Sequence, residues 1–543
     1  MTPSSRTISA LAAVVGGAVL VGCGDDAGVA GTGAASFAPV DTPLYLEISR
    51  ESSTQIANAE SLIAELGEVP LLGSTLDPRD LIQQAIDAAA ADAGVDASFA
   101  EDIEPWLGDT AGLAVLSLQE EAATGSPPFV FSLETSDEGI ASDSIERLVA
   151  AGPGTDIEEV EIGGVTFLRG PGEEGGIGIS DGHVLLGDSD ASLEVALDAH
   201  SGDSLASDED FTQALATLPE ERLGTGFVDL EALAEAVAAD EGASMDQVNA
   251  VDAALGHPLE VPLGLALTAG DRSLALDISG SPALSLHTGE SSLVPSVPAD
   301  AVGVVGVRGY GPQILDYVTR IDAVAGDLNE PGFDVNAIEE AFERQFGVPI
   351  GEAAEAFGDA AVYARGQLPN DYVVGIQIAL PGDSEAPLLI LDAIGQLLKD
   401  KGFVIGPPLD ASESGFSGAD KFGVVDDLPP AINAVIEDEV MTILLASSPD
   451  AMESPPEGSI TDSQLFQAAS AAVGEDAELG AFVDLGPILD YAIDGGSLAD
   501  VVTGEATPEA AIAGFLAGKL GFAALGSGEH DGRVVQRLIV GLE

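Results

Sequence analysis

Short apolar segments separated by turn residues recur along the chain and predict β-strands joined as hairpins. Asp181-Gly182 separates two such segments and is a strong two-residue turn signal, because both turn positions require a positive φ. Gly270-Asp271 separates a second pair of segments, and Asp531-Gly532 separates a third. The segments with strand character are residues 44–48, 160–162, 165–168, 177–179, 184–186, 263–268 and 274–278.

Apolar residues at helical spacing predict helices between some of these strands, at residues 56–66, at 81–91 and around 145–149. Asp190 is the predicted N-cap of a further helix that runs to Ala199. The strands follow one another in hairpins and do not alternate regularly with helices. This order favours an α+β fold with antiparallel sheets over a doubly wound parallel sheet.

Several motifs occur twice and in the same order. Their offsets are 250, 254, 255 and 257 residues, a near-constant spacing that predicts a tandem duplication. We therefore expect an α+β half at residues 37–290, called the first repeat, and a second at 291–543, called the second repeat. The matched segments are 105–109 with 355–359, 207–211 with 461–465, 227–230 with 482–485, and 263–267 with 520–524.

The N-terminus has the layout of a secretory signal, with Arg6 followed by an apolar run at residues 8–21. The run ends in Leu-Val-Gly-Cys, which resembles the bacterial lipobox, so we expect residues 1–22 to be removed and Cys23 to be lipidated. Residues 23–36 are small and polar and predict a flexible tether. The alternative is an uncleaved signal anchor, although the apolar run is shorter than the ~20 residues that span a bilayer.

The net charge and the cysteine content restrict the classes of function that we expect. The chain has 93 acidic and 17 basic residues, which gives a formal net charge of -76 and disfavours any nucleic-acid partner. Electrostatic binding to anionic lipid is equally disfavoured, so acyl chains on Cys23 are the expected contact with the membrane. Cys23 is the only cysteine, so no disulfide supports the fold. The acidity favours a solubility adaptation, with a cationic ligand or a metal as the alternative.

Two segments resemble known site motifs. Gly178-Ile179-Ser180-Asp181-Gly182 matches a Gly-x-Ser-x-Gly nucleophile elbow, but a strand follows where an elbow needs a helix, so a hairpin turn is favoured. Residues 187–194 carry oxygen ligands at alternate positions, as in calcium loops. Leu193 and Ala199 stand where that loop needs glycine and a carboxylate, which favours helix capping over a loose calcium site. The acidic runs 208–210 and 426–427 are predicted to be solvated loops.

The remaining candidate residues form no recognisable constellation. The histidines are scattered and lack metal-ligand spacing, and no phosphate-binding loop is present, so we predict no metal site, cofactor or catalytic residue. Trp106 is the only tryptophan, and the repeated segment carries Phe357, which favours a core role over a ligand platform. The histidines are His183, His200, His257, His287 and His530.

A family resemblance rests on two segments. Residues 39–45 open a predicted strand, and Pro105-Trp106-Leu107-Gly108-Asp109 precedes another after two helices. In this arrangement the chain resembles actinobacterial members of domain of unknown function 3352, along the whole mature chain. The resemblance implies an exported or lipid-anchored protein and supplies no catalytic residue. The second repeat departs from the motif, with Ala356-Phe357 in place of Pro-Trp-Leu.

We therefore expect a non-catalytic, lipid-anchored protein on the extracytoplasmic face of the cell membrane, with a binding or envelope-structural role. One alternative is an enzyme that uses two carboxylates distant in sequence, as glycosidases do. Another is the solute-binding lipoprotein of a transporter, which needs two lobes and a ligand cleft.

Overall fold

The structure is a computed structural model, and it describes residues 33–50, 52–66, 98–119, 127–151, 157–172, 174–242, 244–282, 289, 291–328, 335–367, 371–408, 414–419, 431–452, 457–494, 519–530 and 532–542. Several predictions lie outside these ranges, namely the signal peptide, Cys23, the helix at residues 81–91, His287 and the acidic run 426–427.

The first repeat contains ten strands and six helices among its described residues. The strands are β1 (Leu44–Ser49), β2 (Leu107–Val115), β3 (Phe129–Thr135), β4 (Glu158–Ile162), β5 (Val165–Arg169), β6 (Gly176–Ser180), β7 (His183–Gly187), β8 (Gly224–Val228), β9 (Leu263–Ala269) and β10 (Ser273–Gly280). The helices are α1 (Ser53–Leu66), α2 (Glu138–Ala151), α3 (Asp190–Ser201), α4 (Glu209–Ala216), α5 (Leu230–Glu241) and α6 (Met245–Leu255).

The second repeat follows with ten more strands and six more helices in the described part of the chain. The strands are β11 (Ala301–Val307), β12 (Ala360–Gln367), β13 (Asp371–Ala379), β14 (Val404–Gly406), β15 (Ser414–Ala419), β16 (Ala431–Glu437), β17 (Val440–Ala446), β18 (Glu478–Asp484), β19 (Leu520–His530) and β20 (Arg533–Leu542). The helices are α7 (Tyr310–Leu328), α8 (Val335–Phe346), α9 (Ile350–Ala356), α10 (Ala386–Lys401), α11 (Gln464–Val473) and α12 (Leu485–Asp494).

The strands of the two repeats pair in the same order. In the first repeat the order across the sheet is β4-β5-β6-β7-β3-β2-β1-β8-β9-β10, through antiparallel pairs. In the second repeat it is β14-β15-β16-β17-β13-β12-β11-β18-β19-β20. The predicted α+β class with antiparallel hairpins is thus confirmed, and the shared order is what a tandem duplication produces.

Strand register corrects one of the sequence matches. The match of 263–267 with 520–524 aligns Gly264 with Gly521. In the sheets, however, Phe227 is paired with Gly264, whereas the equivalent Phe482 is paired with Ala524. Gly264 therefore corresponds to Ala524, three residues further on. The sequence match was wrong because both strands consist mainly of small and apolar residues, so their sequences resemble each other in more than one alignment.

Two compact units divide the described residues. The first contains the chain up to Val248 together with Pro258–Pro282 and His530–Val535. The second contains Asn249–His257, the chain from 283 to 529 and the residues from Gln536 onward. The predicted boundaries at 37–290 and 291–543 remain predictions.

The packed body begins at the end of the predicted tether. Ala34–Phe37 forms one 3-10 turn in which Ala34, Ala35 and Phe37 are buried. Residues 34–36 were expected to belong to the flexible tether. They are held in place because Phe37 packs with Leu185, Leu193 and the rest of the cluster beneath α3.

Three helices of the first repeat, α2, α3 and α4, pack their apolar sides on the sheet. Beneath α2, Trp106 packs with Ile145 and the surrounding strand residues. Beneath α4, Tyr45 packs with Phe211 and Phe227. The helix starts are fixed by side-chain caps: Asp208 accepts a hydrogen bond from the amide of Phe211, and Ser463 accepts one from the amide of Phe466 at the equivalent start of α11.

Candidate functional site

The Gly-x-Ser-x-Gly segment is a hairpin turn, as predicted. It joins β6 to β7, and Asp181 and Gly182 have φ values of 45° and 75°. Ser180 is paired with His183 across this hairpin. A nucleophile elbow needs a strand followed by a helix, and the structure has a strand on both sides.

The acidic segment after β7 caps a helix. Asp188 accepts hydrogen bonds from the amide of Phe129 and the hydroxyl of Ser192. Ser189, one residue before the predicted cap Asp190, accepts from the amide of Ser192 and is the N-cap of α3. Asp190 instead accepts from Arg169 at 2.7 Å. The prediction of Asp190 as cap was therefore wrong by one residue, since both side chains are good cap formers.

The run 208–210 also differs from the prediction of a solvated loop. Asp208 is the N-cap of α4, and Glu209 and Asp210 lie in the first turn of that helix. Carboxylates in this position interact favourably with the helix dipole. The local sequence favoured a loop because acidic residues are common in loops and at helix starts alike.

Trp106 is buried, as expected for a core residue. Its indole nitrogen donates to the carbonyl oxygen of Asp102 at 2.6 Å, and its own carbonyl accepts from the hydroxyl of Thr135. Beside it, Gly108 lies so close to Glu134 that a Cβ atom there would come within 2.8 Å of its side chain and backbone. The motif therefore anchors the start of β2 in the core, and the 2% exposure of Trp106 leaves no room for a ligand there.

Two histidines, distant in sequence, meet around the N-terminal turn. The ring of Phe37 stacks on His200 at a centroid distance of 4.1 Å and lies 5.0 Å from His183. His200 also contacts the hydroxyl of Ser36 and, at 3.2 Å, the carboxylate of Asp181. Burial lowers the pKa of His183, although the carbonyl of Asp181 and the nearby carboxylates act in the opposite direction.

The first repeat also holds a buried row of polar residues that the sequence analysis missed. The register aligns Glu47, Thr225, Ala266 and Asp277 side by side across β1, β8, β9 and β10. Glu47 and Asp277 are both buried, as is Arg222. The available signal was a charged residue at an inward position of β1 and of β10, in phase with apolar neighbours.

Hydrogen bonds connect part of this row. Arg222 donates through Nε to the hydroxyl of Thr225 at 2.8 Å, and Tyr45 donates to Glu47 at 2.5 Å. Burial lowers the pKa of Arg222, while Glu47 raises it; burial and Glu47 together hold the pKa of Tyr45 well above its usual value. The backbone positions of Glu47 and Asp277 are three strand spacings apart, about 14 Å. Glycosidase carboxylates lie closer, at about 5–9.5 Å.

The second repeat contains an open cleft between α10 and β14–β15. The cleft has a volume of about 770 Å³. From the helix it is lined by Leu388, Leu391, Asp392 and Lys399, and from the strands by Ile405, Gly406 and Phe416. No described residue forms an ion pair with Lys399.

The helix beside this cleft exposes apolar residues. Leu388 is 46% and Leu389 43% exposed, on a helix that packs its other side on the sheet. In the first repeat, α2 has the same pattern of buried residues as α10, and Ser142 and Asp143 occupy the equivalent exposed positions. Exposed leucines beside a cleft are a feature of interaction sites.

None of the helices in the described ranges is long and apolar enough to cross a membrane. Cys23, the predicted lipidation site, lies outside the described residues.

The fold and the site define an α+β protein of two repeats, with buried charges in the first repeat and an open cleft in the second. The chain belongs to the family described as "Protein of unknown function (DUF3352)", whose sequence profile matches residues 7–305, more than half of the 543 residues. The match ends at the first strand of the second repeat, whereas we expected it along the whole mature chain.

Solved structures give only remote likenesses. Crystal form I of TP0453 has 11% identity and a TM-score of 0.22, covering 46% of this chain and 79% of that one. Crystal form III has 10% identity and a TM-score of 0.18, covering 78% and 97%. No curated protein matches the chain.

Proposed function

We propose that the protein is a non-catalytic, lipid-anchored binding protein on the extracytoplasmic face of the cell membrane, in an actinobacterial envelope. The observation that carries the binding role is the open cleft along α10, which is lined by the exposed Leu388 and by a lysine that has no ion-pair partner among the described residues. The lipobox at Cys23 supports the anchor, and the net charge of -76 supports the absence of a nucleic-acid partner.

The cleft lies within the second repeat, so this role needs no hinge between two lobes. The geometry of the buried carboxylates does not favour a glycosidase-like enzyme. Glu47 and Asp277 are enclosed in the first repeat, and their strand positions are too far apart for a shared substrate bond.

Detergent partition tests the anchor. Wild-type protein expressed with its N-terminus should enter the detergent phase, and mass spectrometry of its N-terminal peptide should show an acylated Cys23. The Cys23→Ala variant should remain in the aqueous phase. Equal partition of the two proteins would exclude the anchor.

Native mass spectrometry tests the binding role. Gly406 lines the cleft, and a Cβ atom there would meet nothing closer than 3.9 Å, so Gly406→Leu should narrow the cleft. Protein isolated from envelopes should carry a small molecule that Gly406→Leu lacks. Identical ligand-free spectra for both proteins would contradict the binding role.

A further inference from the structure

The N-terminal turn is bound to α3 through the imidazole of His200. The hydroxyl of Ser36 donates to the carbonyl oxygen of Gly33 at 2.6 Å, which uses the only proton of that hydroxyl. Nδ1 of His200 lies 3.0 Å from the same hydroxyl oxygen, so Nδ1 must donate to it. Nε2 lies 3.2 Å from a carboxylate oxygen of Asp181 and must donate as well. An imidazole that donates from both nitrogens is protonated and carries a positive charge.

The ring of Phe37 favours the same charge. It lies parallel to the ring of His200, with an interplanar angle of 4° and ring centroids 4.1 Å apart. A cation over the face of an aromatic ring is attracted by the negative charge of that face. Phe37 is itself buried, with 1% of its surface exposed. The contact between the turn and α3 is therefore strongest when His200 is protonated.

The second histidine at the turn has the opposite requirement. Nδ1 of His183 lies 3.1 Å from the carbonyl oxygen of Asp181, and a carbonyl only accepts, so Nδ1 carries a proton. Nε2 is buried without a hydrogen-bond partner among the described residues, and a Cβ atom on Gly33 would lie 3.4 Å from it. A proton on Nε2 would be a buried donor without an acceptor, beside the charge of His200. Burial correspondingly lowers the pKa of His183.

Among the described residues, Asp181 is the carboxylate that contacts both histidines. Glu134 on β3 acts on His183, and the turn Ala34–Phe37 has no titratable side chain. The other carboxylates on α3 and on the neighbouring β4 are either exposed or, for Asp190, bound to Arg169; the exposed ones are Glu158, Glu159, Glu161, Glu194 and Asp198. The two imidazoles are therefore the groups at this contact that change charge near neutral pH.

We propose that the N-terminal turn is a pH-gated latch, which is closed while His200 is protonated and His183 is neutral. Rising pH opens the latch by removing the second proton of His200, and falling pH opens it by adding a proton to His183. Opening releases residues 33–37 into the predicted tether and lengthens it by at most about 18 Å. The latch lies in the first repeat, so it does not depend on the proposed binding role of the cleft.

Hydrogen exchange of the full chain, measured by mass spectrometry, tests the latch. The amide of Ala38 donates to the carbonyl of Ala35 and that of Ser36 to Gly33, both at 3.2 Å, so the peptide 34–41 reports on the turn. Its protection factors, corrected for the intrinsic pH dependence of exchange, should be highest at an intermediate pH and fall toward both pH 5 and pH 9. We expect each fall to be about tenfold, because one hydrogen bond to a charged group corresponds to about that factor. The peptide 209–216 of α4 is the internal control and should keep its protection.

Variants separate the two limits of the latch. His200→Gln cannot carry the charge, so it should lower the protection of the turn about tenfold at neutral pH and abolish the alkaline fall. His183→Gln should abolish the acid fall and keep the alkaline one. Asp181→Asn keeps the turn, since asparagine tolerates the φ of 45° at this position, and should move the alkaline fall to lower pH. His530→Gln, at an exposed position, is the matched control and should follow the wild type.

Three results would overturn the proposal: constant protection of the turn between pH 7 and 9, an alkaline fall that persists in His200→Gln, or an acid fall that persists in His183→Gln. Loss of protection in the peptide 209–216 would show that a variant has unfolded. In that case Asp181→Asn decides the question, and an alkaline fall at an unchanged pH would overturn the proposal.

Discussion

The two repeats share one strand order but differ in the charge that they enclose, since the second repeat buries Arg365 and no carboxylate among its described residues. The first repeat encloses charge: Glu47, Arg222 and Asp277 are buried in or beside its sheet. At the position equivalent to Glu47 the second repeat has Gly306, as the pairing of β1 and β11 with their neighbours shows. The second repeat instead presents apolar residues and a lysine at an open cleft. The two copies thus keep the same backbone pairing while they differ in the side chains that they enclose.

The covering of the sheet explains part of this difference. After β7 the first repeat has the twelve-residue helix α3, which packs on Phe37, Phe167 and Leu185. After β17 the described residues of the second repeat form a 3-10 turn at Asp450–Met452 and no helix equivalent to α3. The second repeat therefore lacks, among its described residues, the cover that α3 gives to the first.

Removing the buried guanidinium of Arg222 should have the largest effect on the free energy of unfolding. It also tests whether a buried charge matters more to stability than an exposed one. Arg222→Ala leaves Glu47 buried without its neighbouring guanidinium, and we expect a loss of about 3–5 kcal/mol in the free energy of unfolding. Arg344→Ala is the control, since Arg344 and its partner Glu340 are both exposed and their ion pair should contribute about 1 kcal/mol or less. Urea unfolding measures both. Equal losses would show that burial does not distinguish these charges.

The N-terminal turn should give the next largest effect. Phe37→Ala removes a buried ring that packs beneath α3, and we expect a loss of about 3 kcal/mol. In the second repeat, the turn Val294–Ser296 holds the equivalent position before the bridge from Pro298 to Ser459. Ser296→Ala removes the hydroxyl that contacts the carbonyl of Leu293 and the side chain of Gln377, and it should cost about 1 kcal/mol. Thermal unfolding compares the two variants, and a larger loss for Ser296→Ala would reverse the comparison.

The equivalent hairpin turns should respond in opposite directions to substitution. Asp181-Gly182 and Asp438-Glu439 both have positive φ values, but only the first contains glycine. Glu439, at φ 64°, occupies a left-handed conformation that costs a residue with a Cβ about 1–2 kcal/mol. Glu439→Gly should therefore stabilise the protein by about 1 kcal/mol, and Gly182→Ala should destabilise it by a similar amount. Denaturant midpoints measure both changes, and destabilisation by Glu439→Gly would contradict the expectation.

The smallest effect should come from protonation of His183, which has no equivalent in the second repeat because Val440 occupies the matching position after the turn. Burial lowers the pKa of His183 in the folded protein, so the unfolded chain binds the proton more readily. The contribution of His183 to the free energy of unfolding is fully present above the unfolded pKa of about 6.5. It is lost as the pH falls from there through the lowered pKa of the folded state.

Melting curves between pH 7.5 and 5 measure this pH-dependent contribution of His183 to stability. The difference in stability between wild type and His183→Gln should shrink or change sign as the pH falls. His530→Gln, at the exposed end of β19, serves as the control and should follow the wild type. A pH-independent difference for His183→Gln would mean that this imidazole keeps its ordinary pKa in the fold.

Local sequence determined the elements whose signals lie within a few residues. The hairpin at Asp181-Gly182 was predictable because a two-residue turn with positive φ favours Asp-Gly, and the α+β class followed from strands that occur in hairpins. The repeated Phe-Val-Asp-Leu segments placed Phe227 and Phe482 at equivalent buried positions of β8 and β18. These predictions depend on short-range backbone and side-chain preferences, which the sequence carries directly.

Only the tertiary structure decided the rest. The row from Glu47 to Asp277 exists because strands more than two hundred residues apart align in register, and nothing local marks that alignment. The contact of Phe37 with His183 and His200 depends in the same way on the packing of the N-terminal turn beneath α3. Whether α10 covers its strands fully or leaves a cleft depends on how the side chains of the helix fit those of β14 and β15. The pattern of residues along the sequence does not show this fit.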